Sequence, residues 1–478
     1  MDYTKYTLVE VQHMLRTGKV SSVELVSQCI QNIEKNKDIN AVLSYDKEYS
    51  LNQAKKADEL LKQNCKGDLL GIPVIVKDNI CTTEFKTTCA SKFLENYVSP
   101  FDAFAVKKLK EAGAIIIGKA NMDEFAMGGS GKNSAYGPTL NPVDKSRIPG
   151  GSSSGSAASV AANLCYCALG SDTGGSIRQP AGFCGVVGLK PTYGRVSRNG
   201  LVAFSSSLDQ IGPIARSVED TAIMLDVISG KDYADMTSVN QEKTNFKDFS
   251  NTDINGMTIG VVKEIDTAND IHPEINIALK KLIDFYKSKG INIVEVSLPN
   301  IQKSLAVYYI LSSAEASSNL ARFDGIKYGE RAKEAEKIDD VYTLSRTKYF
   351  GKEVKRRIII GNYVLCSEYY DAHYKKAVEV KELIKKEFKN AFKNCDAILC
   401  PTSPTTANKL CENKTPLQVY LEDIFTVPVN IFGGPAISFP IGKYKEKLPI
   451  SCQLIGDMWQ EKKILDLAYI YEKQGGNN

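Results

Sequence analysis

The stretch at residues 147–192, RIPGGSSSGSAASVAANLCYCALGSDTGGSIRQPAGFCGVVGLKPT, decides how the rest of the chain is read. It contains two loops of small residues, Gly150-Gly151-Ser152-Ser153-Ser154-Gly155-Ser156 and Gly170-Ser171-Asp172-Thr173-Gly174-Gly175-Ser176. Between them, residues 157–169 are apolar and predict a helix running into a buried strand. Loops of this composition fill a core poorly, but they bring backbone N–H groups and hydroxyls close to a bound molecule. Two serine-bearing loops tied to one buried segment predict a prebuilt catalytic surface.

Upstream, Gly71-Ile72-Pro73-Val74-Ile75-Val76-Lys77-Asp78-Asn79 is a β-branched apolar run with a lysine at its end, the pattern of a buried strand. Lys77 has two readings here. It marks the solvent edge of the strand, or it is held in dry surroundings where desolvation makes it a base. Residues 105–113 predict a helix and 114–117 a strand. The following Gly118-Lys119-Ala120 nearly completes a phosphate-binding loop, but Ala120 replaces the required hydroxyl and three isoleucines occupy the loop. No nucleotide site is expected there.

The first 65 residues read as a helical layer of the same domain, with a capping box at Ser21–Glu24 and apolar residues 25, 26, 29, 30 and 33 at helical spacing. Residues 66–478 form the main body. Beyond residue 192 a helix is expected at 221–228 and a polar surface excursion at 229–256. Strands follow at 257–262 and 291–296 around a helix at 275–286. An amphipathic helix at 375–392, strands at 397–400, 436–439 and 450–455, and a last helix at 462–472 complete the pattern. The alternation predicts an α/β sheet flanked by helices.

Composition narrows the chemistry. With 60 basic and 56 acidic residues the net charge of +4 does not point to nucleic acid or a membrane, and 43% hydrophobic content is that of a soluble globular chain. No apolar run is long enough to span a bilayer, and the N-terminal residues lack the layout of a signal peptide, so a cytoplasmic protein is expected. Twelve cysteines without a CxxC predict buried reduced thiols and no metal site. Histidine is scarce: His13, His272 and His373 only.

That scarcity matters because Gly151-Ser152-Ser153-Ser154-Gly155 matches the G-x-S-x-G nucleophile elbow, which needs a preceding strand and a later histidine base. Pro149 disfavours the strand, and neither His272 nor His373 has a suggestive context. Serine–lysine chemistry fits better: Ser176 as nucleophile, Ser152 as relay and Lys77 as base, with an oxyanion hole at Thr173-Gly174-Gly175-Ser176. The same glycines and serines also suit plain turns around a core helix.

The combination of Val76-Lys77-Asp78-Asn79, Gly150-Gly151-Ser152-Ser153, Asp172-Thr173-Gly174-Gly175-Ser176-Ile177-Arg178 and Gly188-Leu189-Lys190-Pro191-Thr192 resembles the amidase signature family over essentially the whole chain. The resemblance implies a large mixed β-sheet covered by helices on both faces. It also implies a Ser176–cisSer152–Lys77 triad with a cis Gly151–Ser152 bond. One departure is Ser154, where relatives usually carry glycine, which adds a third hydroxyl near the relay. Residues 121–128, 315–325 and 351–358 look like the A subunits of glutamyl-tRNA(Gln) amidotransferases within that family. For that branch the implied activity is glutamine hydrolysis, with ammonia passed to a B subunit that uses ATP and Mg²⁺ on Glu-tRNA(Gln). A C subunit completes a heterotrimer, and this chain carries no cofactor. The α-carboxylate of L-glutamine would be held by Arg356, or by its neighbour Arg357, and its amine by Asp423, with Tyr308 or Tyr309 lining the pocket. The alternative is a free-standing amidase acting on small amides.

Overall fold

A computed structural model of the chain describes residues 1–241, 244–266, 271–412 and 414–475. Among these residues eleven strands build one sheet: Val42–Tyr45 (β1), Pro73–Lys77 (β2), Ile115–Ala120 (β3), Cys167–Asp172 (β4), Val187–Lys190 (β5), Gln210–Ala215 (β6), Thr258–Val262 (β7), Asn292–Val296 (β8), Ala397–Pro401 (β9), Ala436–Tyr444 (β10) and Leu448–Gly456 (β11). Their order is β1-β3-β2-β4-β6-β5-β10-β11-β9-β7-β8. The sheet is mixed. β2 runs parallel to both β3 and β4, and β7 to both β8 and β9, while the strands between these two groups pair antiparallel. β2, β3, β4, β5, β6 and β9 are buried along their whole length, which requires cover on both faces.

The parallel pair β2/β4 positions the site. Val76 lies opposite Leu169, so Lys77, the last residue of β2, emerges beside Ser171 and Asp172 at the end of β4. The helix Ser154–Ala161 feeds β4, and the helix Arg178–Cys184 follows the loop that leaves it. Both serine loops therefore sit at the carboxyl ends of parallel strands, where open α/β sheets place their ligands.

The predicted capping box is present: the Ser21 hydroxyl accepts from the Glu24 N–H, and the Glu24 carboxylate accepts from the Ser21 N–H. The buried face of that helix, Ser22–Lys35, carries Leu25, Val26, Cys29, Ile30 and Ile33 as its spacing predicts. The N-terminal layer is not wholly helical, because β1 lies within it and pairs with β3 at the sheet edge. Residues from Leu8 to Tyr471 belong to one continuous apolar core.

The excursion at 229–256, whose residues 242 and 243 lie outside the described residues, otherwise contains neither helix nor strand. It is pinned from within. Phe246 is buried beneath the Arg195 guanidinium, and its N–H donates to Asp226. The cysteines are free, but Cys65, Cys366 and Cys411 are exposed, so burial holds only for the other nine. No described helix is long and apolar enough to cross a membrane.

Candidate active site

Lys77 is fully buried, and this is not the fate of a lysine marking a strand's edge. Its Nζ lies 2.7 Å from Ser152 Oγ, 2.9 Å from Ser171 Oγ and 3.2 Å from the Ser171 carbonyl oxygen. Burial pushes the amine down to about 7, against the opposing pull of Asp123 and Asp172. A neutral amine has two N–H groups and one lone pair. In that neutral form, N–H groups directed to the two Ser171 oxygens would leave the lone pair facing the Ser152 hydroxyl. Ser171 Oγ also accepts from the Asn79 side-chain amide at 3.0 Å, which fixes it from the far side.

The Gly151–Ser152 bond is cis. A Cβ on Gly151 would lie 2.0 Å from an Asp123 carboxylate oxygen. That carboxylate accepts from the Gly131 and Asn133 N–H groups, and the Asp123 N–H donates to the Ser152 carbonyl at 3.2 Å. The two serine loops are tied together by the Ser153 N–H, which donates to the Ser176 carbonyl at 3.1 Å. Ser154 does not compete for the relay: its hydroxyl pairs with Thr139 at 3.2 Å, and Ser152 is the one residue of the serine triplet that bonds Lys77 among the described residues.

Asp172 organises the second loop. Its carboxylate accepts from the Gly175 N–H at 2.8 Å and the Ile177 N–H at 3.1 Å, and it forms a two-pronged ion pair with Arg178. Burial opposes its charge, but Arg178 more than offsets this and holds the carboxyl well below the usual range. This corrects the expected oxyanion hole. The Gly175 N–H is turned into Asp172, whereas those of Gly174 and Ser176 make no hydrogen bond within the described residues. Thr173 anchors the loop from the other side through its hydroxyl, which donates to Asp209 at 2.6 Å.

Ser176 and Gly174 line a cleft of about 370 Å³ together with Gly128, Gly129, Tyr308, Tyr309, Arg356, Arg357 and Asp423. Lys77 and Ser152 lie out of reach behind this surface, fully buried, and of the three residues Ser176 alone lines the cleft. Tyr308 packs against Gly174, where a Cβ would meet its ring at 2.8 Å. The two arginines separate clearly. Arg356 is partly exposed and pairs with Glu353. Arg357 is buried, also bonds Glu353, and lies under the Tyr309 ring at 4.4 Å with its Nη1 lacking a partner among the described residues. Burial and the neighbouring Glu422 push the Asp423 carboxyl well up. A cation-seeking carboxyl and an anion-seeking guanidinium thus share one cleft with Ser176.

A family model described as Amidase matches residues 24–465. The chain belongs to the amidase family. It is 51% identical to the glutamyl-tRNA(Gln) amidotransferase A subunit of Caldanaerobacter subterraneus subsp. tengcongensis over 99% of this chain and 97% of that one. It is likewise 51% identical to a glutamyl-tRNA(Gln) amidotransferase A subunit, numbered 2, of Clostridium acetobutylicum, over 99% and 100%. Among solved structures, the glutamyl-tRNA(Gln) amidotransferase A subunit of Thermotoga maritima is 42% identical with a TM-score of 0.82, covering 99% of this chain and 96% of that one. The peptide amidase of Stenotrophomonas maltophilia, at 28% identity, has a TM-score of 0.83 over 99% and 97%.

Within this amidase the residues singled out from sequence converge. Lys77 and Ser152 touch, and Ser176, Tyr308, Tyr309, Arg356 and Asp423 border the same cleft. Of two adjacent arginines, the buried one is Arg357. Sequence reasoning passed over Ser171, Asp123, Glu353 and Gln179. Ser171 had a signal, because a hydroxyl next to the last residue of β4 faces the end of the parallel strand β2. Gln179 lies only three residues past Ser176 but carries no mark of its own, and Asp123 and Glu353 come from distant segments.

Proposed function

We propose that this chain is the glutaminase component of a glutamyl-tRNA(Gln) amidotransferase. The observation that carries this reading is the pairing of a dry Lys77–Ser152 contact with a cleft that offers Ser176, an Arg357 with a free Nη1 and a charge-starved Asp423. The planar Arg357 guanidinium would donate to the α-carboxylate of glutamine, and Asp423 would accept from the α-ammonium. This leaves the side-chain amide pointing to Ser176. Ser176 Oγ attacks the amide carbon while its proton passes through Ser152 Oγ to the Lys77 lone pair. The developing oxyanion meets the free N–H groups of Gly174 and Ser176. Collapse breaks the C–N bond, the proton returns by the same route to the departing nitrogen, and ammonia leaves. Water then hydrolyses the γ-glutamyl ester and releases glutamate.

The ammonia would serve a partner B subunit, which uses ATP and Mg²⁺ to activate the glutamyl group on Glu-tRNA(Gln), with a C subunit completing the complex. The relatives that match this chain over nearly its whole length carry names that fit this division of labour. In the assembled complex, Ser176→Ala is expected to abolish amidation of Glu-tRNA(Gln) from glutamine and to leave amidation from ammonium chloride intact. Loss of both activities in a folded complex would overturn the assignment of Ser176 to ammonia release alone.

A further inference from the structure

Gln179 is fully buried between the two halves of the site. It sits in the first turn of the helix Arg178–Cys184, three residues past Ser176. Its Oε1 accepts from the Gly151 N–H at 3.0 Å, and its Nε2 donates to Asp423 Oδ1 at 3.0 Å. The amide orientation is dictated by the Gly151 backbone N–H, which can only donate and so takes Oε1, leaving Nε2 for Asp423. One side chain therefore joins the first residue of the cis peptide that aims Ser152 to the carboxylate at the far end of the cleft. The fit is close: a Cβ at Gly150 would stand 3.0 Å from Gln179 Oε1, and one at Gly129 would stand 3.4 Å from Nε2.

Resting on the glutaminase reading above, we propose that Gln179 is a positioning residue that couples selection of the substrate's α-ammonium to the aim of the relay serine. By occupying Oδ1 of Asp423 it leaves Oδ2 for the substrate's ammonium. By occupying the Gly151 N–H it fixes the peptide that presents Ser152 to Lys77. An α-amino amide that engages Asp423 is thus read at the same side chain that steadies the catalytic loop.

The test uses the assembled complex with two substrates, glutamine and glutaramate, which lacks the α-amino group but keeps the carboxylate and the amide. The wild type is expected to favour glutamine in kcat/KM. Gln179→Met, close in volume but unable to bond either partner, is expected to lower kcat/KM for glutamine at least tenfold more than for glutaramate, and so to narrow the preference. Gln179→Glu keeps an acceptor for Gly151 but places a second carboxyl against Asp423. It is expected to raise KM for glutamine while retaining kcat better than the Met variant. Amidation from ammonium chloride reports that the complex is intact. A loss that falls equally on both substrates, or an unchanged preference in both variants, would overturn the proposal and leave the glutaminase reading standing. A wild-type complex that releases no ammonia from glutamine would overturn both.

Discussion

At the scale of single residues, the proposed chemistry depends on a lysine whose proton burial loosens. Three polar contacts and full burial surround the Lys77 amine, and none of the three is a carboxylate. With its pKa near 7, the amine is protonated and unable to accept below that pH, and free to accept above it. Glutamine-dependent kcat/KM is therefore expected to rise with pH through about 7, while amidation from ammonium by the complex lacks this limb. A profile flat between pH 6 and 8.5 would mean that another group takes the serine proton. Lys77→Met keeps the volume, removes the desolvated amine and is expected to lower glutamine hydrolysis by about 10³-fold or more with no drop in the thermal midpoint. Near-normal turnover in that variant would rule Lys77 out as the base. That a lysine ends a buried strand was legible in sequence, but its state was not. That state depends on burial and on Ser171, which reaches Nζ from a strand 94 residues away.

At the scale of elements, the signature loops were the most legible part of the chain and the sheet around them the least. The run from helix to strand at residues 157–169 appears as Ser154–Ala161 followed by β4, because an unbroken apolar segment between polar loops has few other places to go. β5 and β6 left no such trace. Gly188, Gly212 and Pro213 dilute their apolar pattern, and only the neighbouring strands make the pairing worthwhile. β1 is short and half-buried throughout, a weak pattern inside a helical context. The cleft was visible only as separate residues, since Tyr308, Arg357 and Asp423 sit on elements that meet through tertiary packing alone. The oxyanion loop is exacting about its glycines. Gly175 has a φ of +131°, and a Cβ there would stand 2.2 Å from Thr426 Oγ1. Thr426 in turn donates to the Gly174 carbonyl at 2.7 Å and braces the loop. Gly175→Ala is expected to lower kcat for glutamine at least about 10²-fold by displacing the Gly174 and Ser176 N–H groups, with ammonium-dependent amidation retained. Pre-steady-state trapping of the γ-glutamyl enzyme checks it: accumulation of the acyl intermediate at the wild-type rate would show that the loop tolerates the methyl.

At the scale of the whole molecule, distant parts are stapled by buried carboxyls that accept backbone N–H groups. Asp220 caps the start of the helix Leu8–Arg16, and Glu472 of the last helix takes the Val218 N–H. Asp209 holds Phe204, Ser205 and Thr173, Asp123 holds the loop at Gly131 and Asn133, and Glu124 accepts from Gly351 at the head of the helix Lys352–Leu365. Burial outweighs these hydrogen bonds and pushes Asp123, Asp209 and Asp220 up to about 6, and Glu124 and Glu472 up to about 7. In the unfolded chain such groups lose their protons near pH 4. Between about pH 5 and 7 the folded state therefore binds more protons than the unfolded one, and stability falls as pH rises through that window. Asp172 has the opposite sign, since its depressed carboxyl adds stability that is lost only below about pH 4, outside the window. On the proposed mechanism the activity limb set by Lys77 would rise while this stability falls, so turnover would be fastest where these staples are ionised in dry surroundings. The expected thermal midpoint is several degrees lower at pH 7.5 than at pH 5.5, and Asp220→Asn, which cannot ionise, is expected to flatten that slope. Differential scanning calorimetry at low salt across the range measures it. A midpoint constant or rising from pH 5.5 to 7.5 would show that these carboxyls are already ionised in the fold at the acid end, held by interactions stronger than the N–H groups they accept.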